Sequence, residues 1–239
     1  MRLLLLSNSR NPGGEYLAHA MEAFAALLAG HASAWFVPFA GVTVPWDDYT
    51  RTVQAALTPL GVHVTGAHIA ARPGPEDAIL VGGGNTFQLL HECRQRGLLD
   101  VIRDRVRGGT PYAGWSAGAN LACPTICTTN DMPIVDPGGF DALDLLAFQI
   151  NPHFTNALPA GHQGETREQR LTEFVTANPD VYVLGLPEGD WLTVAGQDVA
   201  LCGPKHAVWI RHGATTAVAP GLLAAPFRAR GVVRAFDQA

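Results

Sequence analysis

The 239-residue chain carries a net charge of −5, with charged residues at 15% and apolar residues at 47% of the total. An acidic balance without any run of Lys or Arg argues against a nucleic-acid footprint and against an anionic membrane surface as partner. The apolar stretch at residues 3–6 is shorter than a signal-peptide core, and nothing approaches the roughly 18 apolar residues of a membrane span, so a cytoplasmic protein is expected.

In chain order, residues 2–7 and 34–38 read as buried strands bounded by Ser, Asn, Pro and Gly. Between them Leu17, Met21, Phe24, Leu27 and Leu28 recur at helical spacing, with Gly30 as the stop. A helix is predicted over 46–60, with Tyr49, Val53, Ala56 and Leu57 on one face. Strands follow at 62–67 and 78–81, helices at 86–96 and 98–106, and a strand at 111–115. This alternation predicts an α/β fold, a mostly parallel sheet with helices on both faces. The stretch 123–152 carries turn chemistry without periodicity and is expected to be irregular and functional. A helix is predicted over 167–177 and a strand over 181–186. Short strands are predicted across 192–218, with the first turn at 195–198. Residues 220–239, with Arg228, Arg230 and Arg234, have no assignable structure, and no repeat or linker divides the chain into more than one domain. Cys93, Cys123, Cys127 and Cys202 form no C-x-x-C pair and are expected as reduced thiols.

Gly114, Trp115, Ser116, Ala117 and Gly118 match G-x-S-x-G between an apolar strand and a small-residue helix start. The motif needs its glycines because a sharp strand-to-helix turn brings backbones together and presents the serine hydroxyl. Ser116 is thus the candidate nucleophile, and the amide of Ala117 a candidate oxyanion donor. The bland alternative is a helix start with an idle N-cap serine. A second Gly-rich turn, residues 81–86, lacks both G-x-G-x-x-G and the lysine of a P-loop. Its better use is a second oxyanion donor at Gly84, with Asn85 as a substrate-binding candidate; the alternative is a plain tight turn.

A serine nucleophile needs a base within hydrogen-bond reach. Among nine histidines, His153 stands out beside Pro152, just after an apolar stretch. Two carboxylates compete to orient it. Asp131 gives the chain order Ser, Asp, His; Glu188, after a predicted strand, gives Ser, His, Glu. The strand end holds a side chain more rigidly, which favours Glu188, while Asp131 has a further possible role in the substrate pocket.

Residues 114–120 (GWSAGAN), 121–125, 128–137, 149–156 and 164–170 resemble the peptidase E family of bacterial α-aspartyl dipeptidases, which are serine peptidases. The resemblance extends to residues 3–9, 38–42, 81–90 and 186–189, and so runs to about residue 204; the part beyond departs from the family. It implies a fold similar to class I glutamine amidotransferases, with Ser116 as nucleophile, His153 as base, and no metal or cofactor. It implies hydrolysis of Asp-Xaa dipeptides, a small peptide being the partner, and leaves the choice between Asp131 and Glu188 open. Selecting an aspartyl side chain calls for a cation, and Arg167 in the shared segment is the candidate; otherwise it is a surface arginine of its helix. Two further readings are a cyanophycinase-like hydrolase of the same family and a non-catalytic small-molecule binder. Nothing in the sequence indicates an oligomeric state.

Overall fold

The computed structural model describes residues 1–229 other than Pro159, His162 and Ala225, so that His162, Arg230 and Arg234 lie outside the described residues. In chain order the elements are β1 (Arg2–Leu6), α1 (Met21–Leu27), β2 (Ser33–Val37), α2 (Trp46–Leu57), β3 (His63–Gly66), β4 (Ala78–Val81), α3 (Thr86–Gln95), α4 (Leu98–Arg107), β5 (Tyr112–Trp115) and α5 (Ala117–Leu121). They continue with β6 (Gln149–Asn151), α6 (Arg167–Ala177), β7 (Val183–Gly185), β8 (Trp191–Ala195), β9 (Asp198–Cys202), β10 (Ala207–Arg211), β11 (Ala214–Val218) and β12 (Gly221–Leu222).

The large sheet has the order β12-β9-β8-β1-β5-β4-β2-β3. From β1 to β3 every pairing is parallel. On the other side of β1, the meander of β8, β9 and β12 adds antiparallel strands. Strand alternation explains why helices cover both faces. Leu3, Leu5, Trp35, Val37, Ile79 and Val81 pack with side chains of α3, α4 and α5. Their neighbours Leu4, Leu6, Ala34, Phe36, Leu80 and Trp115 pack with Phe24 of α1 and Val53 and Leu57 of α2.

The architecture departs from one sheet. β6, β7, β10 and β11 form a separate four-stranded sheet in the order β11-β10-β7-β6. β6 falls inside the stretch expected to be irregular; at three residues it is too short to display a period, and its parallel pairing with β7 is non-local. One face of the small sheet, with Val183 and Ile210, is covered by Leu171 and Val175 of α6 and by Phe154. Ile150, Leu184 and Trp209 point the other way, into the core of the large sheet. The β8–β9 hairpin closes at the Ala195–Asp198 pair, where the sequence predicts its turn. Beyond residue 220, β12 pairs with β9, and Phe227 packs on Phe148 and Trp209 with ring centroids 5.3 and 4.1 Å away.

The consequence for function is positional. Ser116 follows β5, His153 follows β6, Glu188 follows β7, and the glycine-rich turn follows β4. All are carboxyl-terminal ends of strands, where open α/β sheets bind ligands.

Candidate active site

Ser116 joins β5 to α5 with φ 52° and ψ −112°, a conformation that non-glycine residues rarely adopt. Its N–H donates to the Leu6 carbonyl at 3.0 Å, and its own carbonyl accepts from the amides of Ala119 and Asn120, each at 3.0 Å. The flanking glycines follow from backbone contact. A Cβ on Gly114 would lie 2.3 Å from the Gly118 carbonyl oxygen, and one on Gly118 would lie 2.2 Å from that of Val81. The tight turn leaves no volume for either.

The Ser116 hydroxyl lies 2.8 Å from His153 Nε2, and His153 Nδ1 lies 2.6 Å from Glu188 Oε1. A carboxylate only accepts, so Nδ1 carries the proton and Nε2 accepts from the serine hydroxyl. His153 itself sits at φ 54°. The loops after β6 and β7, which are parallel neighbours, bring imidazole and carboxylate together.

Asp131 is elsewhere. Its Oδ2 accepts from the Thr86 amide at 2.7 Å, the Thr86 hydroxyl at 2.6 Å and the Thr129 hydroxyl at 3.1 Å. It therefore caps the first turn of α3, where a negative charge suits the helix dipole. Asn85 is the N-cap of the same helix, accepting from the Gln88 amide at 3.0 Å while its Nδ2 donates to the Met132 carbonyl at 2.9 Å. Both side chains hold the loop 129–137 against α3.

A cavity of about 730 Å³ opens in front of Ser116 and His153, with Gly83, Gly84, Asn85, Tyr49, Val44 and Ile134 in its wall. Among the described residues, the amides of Gly83, Gly84 and Ala117 donate to no protein acceptor. Gly84 has φ 133°, and a Cβ there would lie 2.2 Å from the Ala40 carbonyl oxygen. Asp131 lines a neighbouring cavity of about 580 Å³ with Phe87, Ile126 and Phe140. Arg167 opens α6 and lines neither. Partial burial and nearby Arg170 push its guanidinium pKa down, while the Asp131 carboxylate pushes it back up. Arg167 makes no ion pair among the described residues. No group of three or more His, Cys, Asp or Glu side chains among those residues is placed to hold a metal ion.

Three supporting residues escape a reading of the sequence. Tyr49 looks only like a helix-face apolar residue, yet its hydroxyl donates to the Gly83 carbonyl and accepts from Trp115 Nε1, each at 3.0 Å. Burial pushes the Tyr49 phenol pKa up, so it keeps the proton it donates. Ser7 and Asn8, which read as the last residue of a strand and the boundary after it, contact the loops of His153 and Glu188. No local pattern links any of the three to the site, because each contact spans more than thirty positions.

The chain is 58% identical over 223 residues to a peptidase E of Salmonella newport, covering 92% of this chain and 97% of that one. It is 61% identical over 217 residues to a peptidase E of Shigella flexneri serotype 5b, covering 89% and 95% respectively. A crystal structure of a putative peptidase E from Listeria monocytogenes superimposes with a TM-score of 0.63 at 23% identity, over 85% of this chain and 98% of that chain. A peptidase from an acI-B1 actinobacterium gives 0.62 at 16% identity, over 90% and 96%. At such identities these two speak for the shared fold. The model of peptidase family S51 matches residues 3–202, a span that runs from within β1 to the end of β9 and includes all three of Ser116, His153 and Glu188. The chain belongs to peptidase family S51.

Proposed function

We propose that this peptidase hydrolyses dipeptides with an N-terminal aspartate through an acyl-enzyme on Ser116. The observation that carries the reading is the unbroken hydrogen-bond line from Glu188 through His153 to Ser116, at 2.6 and 2.8 Å. The β5–Ser116–α5 turn serves as a nucleophile elbow, and the architecture is of the class I glutamine amidotransferase kind with serine as nucleophile. His153 Nε2 takes the hydroxyl proton as Oγ attacks the aspartyl carbonyl carbon. The oxyanion is met by the Ala117 amide and by an amide of the Gly83–Gly84 turn. Collapse breaks the C–N bond, and the imidazolium gives its proton to the departing amine. Water then repeats the sequence and releases aspartate. Glu188 keeps Nδ1 protonated and stabilises the imidazolium throughout.

Arg167 supplies the specificity. Partly buried and without an ion-pair partner among the described residues, it is suited to a bidentate contact with a substrate carboxylate. Leucine at that position would leave the guanidinium unpaired. The chain is read as one domain because, among the described residues, one apolar cluster draws side chains from both sheets. A reducing, cytoplasmic setting suits the four unpaired cysteines; burial pushes the Cys93 and Cys123 thiols up to about 12, so both stay protonated.

The test combines labelling and kinetics. Wild type should react with a serine-directed phosphonate at Ser116 and cleave Asp-Leu well, Asn-Leu poorly and Leu-Leu not measurably. Ser116→Ala should lose activity by many powers of ten, on the order of 10⁶-fold. Arg167→Met should slow Asp-Leu without slowing the phosphonate. Equal kcat/KM on Asp-Leu and Leu-Leu would sink the aspartyl specificity, and a tenth of wild-type activity in Ser116→Ala would sink the mechanism.

A further inference from the structure

The end of β1 touches the loops of all three members of the hydrogen-bond line. Leu6 accepts the Ser116 N–H through its carbonyl at 3.0 Å. Ser7, the next residue, is fully buried, and its hydroxyl is used in both directions. It accepts the His153 N–H at 2.8 Å and donates to the Leu186 carbonyl, also at 2.8 Å. Asn8, 2% exposed, accepts the Gly189 N–H through Oδ1 at 2.7 Å, immediately after Glu188. The Asn8 amide is held in that orientation by donating to the Arg10 carbonyl at 2.7 Å and to Asn11 Oδ1 at 3.0 Å.

These contacts fall where the backbone needs them. His153 has φ 54°, a conformation for which histidine has little intrinsic preference, and it turns its N–H away from the β6–β7 ladder toward Ser7. The direction of the imidazole follows from that backbone. Gly189 has φ 92°, and the turn it makes sets where the Glu188 carboxylate starts. Lys205 Nζ holds the Glu188 carbonyl at 2.8 Å, and the Asp190 carbonyl accepts the Ser7 N–H at 3.1 Å, so the turn is tied on both sides.

We propose that Ser7 and Asn8 are positioning residues that set His153 and Glu188 in register with Ser116. β1 is the ruler: three consecutive residues hold nucleophile, base and carboxylate at one strand end. This rests on the proposed roles of Ser116, His153 and Glu188, and the experiment separates the two. With full-length protein and Asp-Leu as substrate, Ser7→Ala should lower kcat by about 10- to 100-fold, the scale of a misplaced catalytic group, with KM within about twofold. Phosphonate labelling of Ser116 should slow by the same factor, and the downfield Nδ1 proton signal of His153 should shift or broaden. Asn8→Ala should lower kcat in the same manner. Ser7→Thr, which restores the hydroxyl, should recover labelling relative to Ser7→Ala.

A kcat and labelling rate within about twofold of wild type in both alanine variants, even with a lower Tm, would reduce Ser7 and Asn8 to parts of the core and overturn the proposal. Should Ser7→Ala not fold, Ser7→Cys decides on the same readings, since it keeps the volume and offers only a weak acceptor. Wild-type protein that fails to label at Ser116 would strike the underlying reading instead. Normal wild-type labelling with undiminished labelling in both alanine variants would strike the positioning alone.

Discussion

Glu188 and Asp131 are both carboxylates beside the site, and the donors they meet set different expectations. Glu188 accepts from His153 Nδ1, whereas Asp131 gathers three donors from Thr86 and Thr129 at the start of α3. Glu188→Gln replaces an anion by an amide that no longer dictates the tautomer, and kcat should fall sharply, up to the order of 10⁴-fold. Asp131→Asn should instead loosen the α3 cap and the loop 129–137, raising KM and lowering Tm while kcat stays within a few-fold. Steady-state kinetics and thermal unfolding of the two variants check this; Asp131→Asn abolishing kcat with Glu188→Gln silent would reverse the assignment. Ser116 was legible in the sequence because G-x-S-x-G reports a steric requirement, now visible as the contacts that Gly114 and Gly118 make. For the partner of His153 the sequence favoured Glu188 only through the rigidity of a strand end, since both orders of acid and histidine occur and the contact depends on β6 lying beside β7. Asn85 read as a substrate contact; it lines the cavity before Ser116, while its side chain also accepts from the Gln88 amide and donates to the Met132 carbonyl.

Elements followed the sequence where the signals were local. α6 begins at Arg167 because Thr166 and Gln169 form a capping box: the Thr166 hydroxyl accepts from the Gln169 amide at 3.2 Å, and Gln169 Oε1 accepts from the Thr166 amide at 2.7 Å. α2 gives way after Leu57 to a short 3₁₀ turn, Thr58–Leu60, that contains Pro59, so the helix predicted over 46–60 keeps α geometry only as far as Leu57. β6 had no such signal. The cap of α6 bears on the role proposed for Arg167, which is the first residue of the helix. Thr166→Ala should cost about 1 kcal/mol, and for a chain of this size that lowers Tm by about 2–4 °C. Fraying of the first turn should also raise KM for Asp-Leu while leaving kcat unchanged. Thermal unfolding and steady-state kinetics test both parts, and an unchanged KM alongside a lowered Tm would separate Arg167 from the cap.

On the scale of the molecule, chemistry is assembled across a seam. Ser116 comes from the large sheet, while His153 and Glu188 come from the small one, which the alternation of strands and helices did not foretell. That alternation predicts neighbours along the chain; the split depends on Ile150, Leu184 and Trp209 burying one face of a second sheet against the first. The chain recrosses the seam at Asp190, between β7 and β8, and this residue is fully buried. Its Oδ1 accepts from the Lys205 amide at 3.2 Å, and Oδ2 meets no donor among the described residues. Burial raises its pKa from 3.8 to about 6, against the opposing pull of the Lys205 amide and of the Lys205 and His206 charges. The folded state thus binds the proton more tightly than the unfolded chain does. Stability from this group is full below about pH 4, declines as pH rises toward 6, and stays at its lower level above that, a difference of at most about 3 kcal/mol. Asp190→Asn cannot ionise and keeps an acceptor for the Lys205 amide. Its Tm relative to wild type should therefore climb by several degrees between pH 4 and 6.5 and level off beyond. Thermal unfolding of both proteins across pH 4–8 measures that difference, and a gap that is constant with pH would show that Asp190 does not titrate at the seam.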